Sequence, residues 1–209
     1  MKTIADAKLK QNLVIGLTGS SGSGKSEAAK ILAGWGAAII DADAISRAIV
    51  EERSVLDELI CAFGEWVVDR EGKFNRAIVS KRAFSDAATL ARLSEITHKY
   101  IAKEIYRQVE RLKSSHDGFI VIDAPIPAKN GFIDISDVVW VIKSPASQRL
   151  KRILARDGIS VEAALARISS QLPDGEYERL ADSVIINDGG IDKLKNNLKR
   201  YINMVKDLK

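Results

Sequence analysis

"LVIGLTGSSGSGKSEAAK", residues 13–30, runs from an apolar segment through a knot of glycine and serine into a segment of helix-forming residues that opens on lysine. Gly19, Gly24, Lys25 and Ser26 satisfy the spacing G-x-x-x-x-G-K-S, with Gly22 and Ser23 inside the turn. Glycines let the backbone curl until its N–H groups converge on phosphate oxygens. The following helix N-terminus adds positive potential at the same point. Lys25 is expected to reach the β- and γ-phosphates of a nucleoside triphosphate, and the Ser26 hydroxyl to complete a Mg²⁺ shell. Gly22, Ser23, Gly24, Lys25, Ser26 and Glu27 are therefore the nucleotide-binding candidates. A carboxylate at Glu27 suits a helix N-terminus but not a nearby phosphate, so its side chain is expected to turn away.

Working outward, four further apolar runs read as buried strands: 37–43, 119–125, 137–144 and 183–188. They are continuous rather than alternating, as in a parallel sheet covered by helices on both faces. Helical patterns are expected at 25–34, 44–62, 78–113, 146–156, 160–171 and 191–208. This order predicts an α/β fold, a doubly wound parallel sheet of the P-loop NTPase type with about five strands. One domain is expected over 13–209, after an N-terminal extension at 1–12. Its core comprises 13–43, 119–145 and 179–209, with a helical insertion at 44–118 over the strand ends and an arginine-rich lid at 146–178.

The 209 residues carry 32 Lys and Arg against 28 Asp and Glu, a net charge of +4 that suits a small anion as well as nucleic acid. No apolar run is long enough to span a bilayer, so no membrane association is expected. The single cysteine, Cys61, cannot close an internal disulfide, which favours the reducing cytoplasm. Its helical, apolar setting reads as buried. His116, in the polar stretch "SSHDG", reads as solvated. The apolar stripe Ile191, Leu194, Leu198, Ile202, Val205 and Leu208 predicts an amphipathic terminal helix whose lysines face solvent.

A held triphosphate can drive a motor, time a switch or be transferred. A switch GTPase needs a guanine-reading N-K-x-D segment, which is absent, and a motor needs more chain. A transferase needs an acceptor site, a carboxylate for the incoming hydroxyl and cations for the moving phosphoryl group. "IIDAD" places Asp41 and Asp43 at the carboxyl end of the second strand, where period-two spacing sends both to one face. One of them can instead cap the helix that follows. Asp123, ending the third apolar run, resembles the acid that orients Mg²⁺ through water. Arg149, Arg152 and Arg156 share a helix face, as do Arg167 and Gln171. Guanidinium groups pair with phosphate oxygens two at a time, which suits a lid over ATP.

The segments "IGLTGSSGSGKS", "IIDADAISRAIV", "FGEWVVDREGKFNR", "LSEITHKYI", "SQRLKRILARDGIS", "RISSQ" and "LADSVIIND" occur in the order and spacing of dephospho-coenzyme A kinases. The resemblance covers residues 14–188. It implies ATP-dependent phosphorylation of the ribose 3′-hydroxyl of dephospho-coenzyme A, with Mg²⁺ accompanying ATP. By match of motif, Asp43 is the carboxylate nearest the acceptor hydroxyl. Arg76, His98 and Pro125 lie on the acceptor side, Arg152 and Arg156 belong to the lid, and Asn187 sits near the adenine pocket. His98 also borders the apolar stripe of its helix, so a packing role is equally open. The chain departs from the family twice. "PIPAK" (125–129) puts Pro127 and Lys129 where a leucine and a glutamate are usual, and Lys99 replaces the proline after Thr97-His98, which predicts an unbroken helix there. Both departures lie on the acceptor side, so a related kinase acting on a nucleoside or another pantetheine-like alcohol is the alternative enzyme. A non-catalytic nucleotide- or nucleic-acid-binding protein is the alternative of another class; the scarcity of aromatic residues argues against nucleic acid as a partner. Oligomeric state is not legible.

Overall fold

The apolar run at 13–19 sits in the middle of the sheet. Strand β1 (Val14–Thr18) is buried at every position, and the computed structural model, which describes residues 13–207, pairs it with a strand on either side. With β2 (Ala38–Asp41), β3 (Ile120–Asp123), β4 (Val138–Lys143) and β5 (Ser183–Ile186) it forms a five-stranded parallel sheet in the order β2-β3-β1-β4-β5. The expected α/β architecture is thus present. Leu17 and Asp41 each lie opposite Asp123, which brings the carboxyl ends of β1, β2 and β3 to one edge. Two aspartates fix the opposite ends of strands: the Val14 N–H donates to Asp137 Oδ2 at 2.8 Å and the Val139 N–H to Asp182 Oδ2 at 2.7 Å. Asp182 of "LADSVIIND" is accordingly a strand-register residue.

Helices α1 (Lys25–Gly34) and α9 (Ile191–Asp207) close one face of the sheet over Ile15, Leu17, Trp140 and Ile142. On the other face α2 (Ala42–Ile49) and α5 (Ala87–Ser115) pack on Val14, Ile40, Ile120 and Ile122. The insertion adds α3 (Arg53–Phe63) and α4 (Arg76–Ser85) around a cluster of its own, in which Val55, Leu59, Val67, Val79 and Ile96 are all buried. The arginine-rich segment folds as α6 (Ala146–Asp157), α7 (Val161–Ser169) and α8 (Asp174–Leu180).

The expected helix at 44–62 is two helices, broken where buried Val50 turns the chain. The one at 78–113 is also two: Asp86 interrupts it and caps α5, accepting from the Ala88 and Thr89 N–H groups. Through Lys99, α5 runs on unbroken. Cys61 lies on a helix but is exposed rather than buried; two residues past Leu59, α3 has rotated away from the cluster that buries Leu59. His116 is not simply solvated: its Nε2 is buried beside Gly118 and finds no partner among the described residues. The extension at 1–12 and Leu208 of the terminal stripe lie outside the described residues. Among those described, no helix is long and apolar enough to cross a membrane.

Candidate active site

The glycine-rich turn is held open by groups packed behind it. Gly22 and Gly24 both have left-handed backbone, with φ of 77° and 96°. A Cβ on Gly22 would stand 2.7 Å from the Arg149 carbonyl oxygen, and one on Gly24 would overlap the Asn187 amide nitrogen. Only glycine meets both the backbone angle and the space. The Asn187 amide donates to the Ser23 carbonyl at 2.7 Å, and Arg152 donates to the Gly22 and Ser23 carbonyls at 3.2 Å each. Gln171 accepts from the Ser21 N–H at 2.7 Å. Buried Arg149 donates to the Ser20 hydroxyl and pairs with Asp174 at 3.0 Å, tying α8 to the turn. The loop's shape is therefore set by α6, α8 and the end of β5 as much as by its own sequence.

In front of this turn lies a cavity of about 680 Å³, lined among others by Lys25, Ser26, Glu27, Asp43, Arg152 and Arg156. With Gly22, Gly24 and Pro125, nine of the expected site residues thus share one space. The Lys25 ammonium rests on the Asp123 carboxylate. Burial holds the Asp123 pKa above the ordinary carboxylate value, Lys25 pulls it back, and the nearby charges of Asp41 and Asp43 add to the rise. Arg156 is clasped by Asp157 through bonds of 2.7 and 2.9 Å, and Asp157 also takes Arg167. That shared grip raises the Arg156 pKa and lowers that of Asp157.

Three expectations change. Glu27 does not turn away; it lines the cavity, because the first turn of α1 faces it along with Lys25 and Ser26. Asn187 does not line the cavity: its residue is buried and its amide is used behind the turn. Arg149 shares a helix with Arg152 and Arg156 but is drawn behind the loop by Ser20 and Asp174, a pairing that helical spacing cannot reveal.

Asp41 and Asp43 also have different settings. Strand β2 ends at Asp41, so strand alternation never reaches Asp43. Asp41 caps α2, accepting from the Ala44 N–H at 2.9 Å. Asp43, in the first turn of α2, is exposed and opens onto the main cavity. It also lines a second hollow of about 110 Å³ with Ser46, His98, Pro125 and Phe132. A third, of about 660 Å³, continues from His98 along α5 beneath residues 126–130. His98 therefore stands where the second and third meet. The ring loses enough water to these walls to lower its pKa. Pro125 borders both the main cavity and the second hollow, its carbonyl held by the Tyr177 hydroxyl at 3.0 Å. Arg76 lines none of the three; it donates to the Arg47 carbonyl at 3.3 Å and lies over the Phe74 ring. That Asp43 borders the hollow against α5 as well as the main cavity was legible only from the motif match. The brace formed by Arg149, Gln171 and Asp174 had no signal beyond the shared face of Arg167 and Gln171.

Ser26, in the cavity wall, and Asp123, against Lys25, are hard oxygen donors beside the glycine-rich turn, the chemistry a small divalent cation such as Mg²⁺ requires. Among the described residues, no group of three or more His, Cys, Asp or Glu is placed to hold a metal. A cation here would take its remaining ligands from phosphate and water.

A family model described as dephospho-CoA kinase matches residues 13–193. A dephospho-CoA kinase of Carboxydothermus hydrogenoformans is 38% identical over 186 residues, covering 88% of this chain and 90% of that protein. One from Corynebacterium diphtheriae is 40% identical over 183 residues, covering 87% and 92%. Among solved structures, TT1252 from Thermus thermophilus superposes with a TM-score of 0.78 at 29% identity, covering 93% of this chain and 98% of that one.

Proposed function

The chain belongs to the dephospho-CoA kinase family, and from that premise we propose that it transfers the γ-phosphoryl group of ATP to the ribose 3′-hydroxyl of dephospho-CoA, releasing CoA and ADP. The observation that carries the assignment of parts is the position of Asp43, which borders both the cavity at the glycine-rich turn and the hollow leading to α5. An alcohol presented from the α5 side meets that carboxylate before it meets the phosphates.

The turn's N–H groups and Lys25 hold the β- and γ-phosphates, for which Lys25 exchanges its contact with Asp123. Ser26 and Asp123 would hold a Mg²⁺ arriving with ATP, which would supply positive charge against the phosphates. Asp43 aligns the 3′-hydroxyl and accepts its proton as the oxygen attacks the γ-phosphorus. The bond to the β–γ bridging oxygen breaks, and its electrons leave on ADP. Arg152 and Arg156 spread the charge on the transferring group, with 146–178 serving as the lid and 44–118 as the acceptor-binding insertion. His98 and Pro125 wall the acceptor path. Glu27 sets a negative limit to the nucleotide space. The reading places the protein in the cytoplasm, where ATP is supplied and a lone thiol stays reduced.

Coupled detection of ADP tests this. Wild-type protein is expected to release ADP with dephospho-CoA well above its rate with water, and Asp43→Asn to lower turnover by about 10²- to 10⁴-fold while melting normally. Equal rates with dephospho-CoA and water, or turnover by another alcohol alone, overturn the substrate. Near-normal turnover of Asp43→Asn at saturation overturns the role of the carboxylate.

A further inference from the structure

Two of the three positions at which the sequence departs from the family pattern, 99 and 129, are lysines, and they line one hollow. Lys99 lies on α5 and Lys129 on the segment above it, and both line the hollow of about 660 Å³ that continues from His98. Lys103, one helical turn beyond Lys99, lines the same hollow. The charges facing this space are not equivalent. Glu95 is paired with Arg92 at 2.6 Å, and Lys99 with Glu58 at 2.6 Å. Lys103 and Lys129 are exposed, and neither forms an ion pair among the described residues. The unbalanced charge at the hollow is thus two ammonium groups, one on each wall.

The hollow is also held in shape. The 128–134 turn presses on α5, where a Cβ on Gly131 would stand 2.7 Å from the Ala102 Cα. Tyr106 of α5 bonds to Asp134 of the same turn. Lys103 and Lys129 therefore line the hollow from segments that are fixed together. On the other side, His98, Ile126, Ala128 and Asn130 line both this hollow and the smaller one that Asp43 borders. A ligand entering past Lys103 and Lys129 reaches Asp43 without leaving the surface.

We propose that Lys103 and Lys129 form an anion subsite that grips the diphosphate linker of the acceptor and sets specificity for an alcohol carrying one. The inference rests on the kinase reading above. A diphosphate joined to the 5′ carbon of the ribose whose 3′-hydroxyl reacts is the nearest strong anion in dephospho-CoA. In this chain two exposed ammonium groups supply the opposing charge where the family places a glutamate at position 129.

The test compares wild type with Lys103→Glu, Lys129→Glu and the double variant. Binding of dephospho-CoA is measured by calorimetry, and turnover of dephospho-CoA and of adenosine by ADP release. Because both ammonium groups are exposed, each reversal is expected to weaken dephospho-CoA binding a few-fold and the pair roughly tenfold, the loss shrinking as salt rises. The KM for ATP and kcat/KM for adenosine, which has the ribose but no diphosphate, are expected to stay unchanged. Unaltered affinity of the double variant, or an equal loss with adenosine, overturns the subsite while leaving the kinase reading in place. Lysine-dependent binding of dephospho-CoA with no turnover by wild type removes the kinase reading and keeps the subsite. Absence of binding by wild type removes both.

Discussion

Replacing Asn187 by alanine separates two roles that the same residue could have. In the structure its amide is buried and donates to the Ser23 carbonyl at 2.7 Å. Losing that bond costs about 1 kcal/mol net, and the small void left behind adds a fraction more. The Ser23 carbonyl is not orphaned, because Arg152 still donates to it at 3.2 Å, so the larger penalty for an unpaired buried acceptor does not apply. The total, about 1–2 kcal/mol, corresponds to a melting temperature lower by about 3–6 °C for a chain of this size. A second substitution sharpens the test. Gly24→Ala alone incurs left-handed backbone strain of about 1–2 kcal/mol together with the overlap on the Asn187 nitrogen. With Asn187→Ala present the overlap is gone and only the strain remains. The double variant is expected to be less destabilised than the sum of the singles by about 1 kcal/mol. Thermal melting of the four proteins, with KM for ATP alongside, supplies the cycle. If Asn187→Ala melts like wild type while KM for ATP rises, the residue reads adenine and the bracing argument is refuted.

Arg149→Met is expected to lower the melting temperature more than Arg156→Met. The first guanidinium is buried on Ser20 and Asp174, whereas the second is exposed on Asp157; equal shifts would contradict the brace. His98 has a pKa below its ordinary 6.5 because its ring loses water. Between the lowered value and 6.5 the unfolded chain binds a proton that the fold does not. Stability is therefore expected to fall as pH drops below 6.5, and His98→Gln to flatten that fall in urea titrations at several pH values. Cys61, being exposed, is expected to react with a thiol reagent in the native state at nearly the rate of the unfolded chain; strong protection would contradict its placement.

The strands were legible because a parallel sheet buries both faces, so β1, β3 and β4 leave continuous apolar runs in the sequence. The glycine-rich turn was legible because its spacing reflects a backbone need. The insertion was legible as helical but not in its segmentation, since Asp86 ends one helix and starts another without disturbing the apolar period on either side. The carboxylates show the same boundary. Strand alternation grouped Asp41 with Asp43, yet β2 stops at Asp41 and the two residues divide into a cap and a cavity wall. Glu27, Arg149 and Asn187 failed for a common reason. Helical or motif position gives a residue's place along an element, whereas its role here depends on which partner from a distant segment reaches it first.

Helix α5 belongs to both apolar clusters: Ile96 is buried within the insertion, and Ile105 and Val109 beneath the sheet. A sharp kink between those points would require breaking backbone hydrogen bonds in the middle of a continuous helix. The wall that carries His98 and Lys103 therefore behaves as a fixed anvil bolted to the sheet. On the proposed reading, closure around the two substrates falls to the segment that carries α6, from which Arg152 reaches the turn.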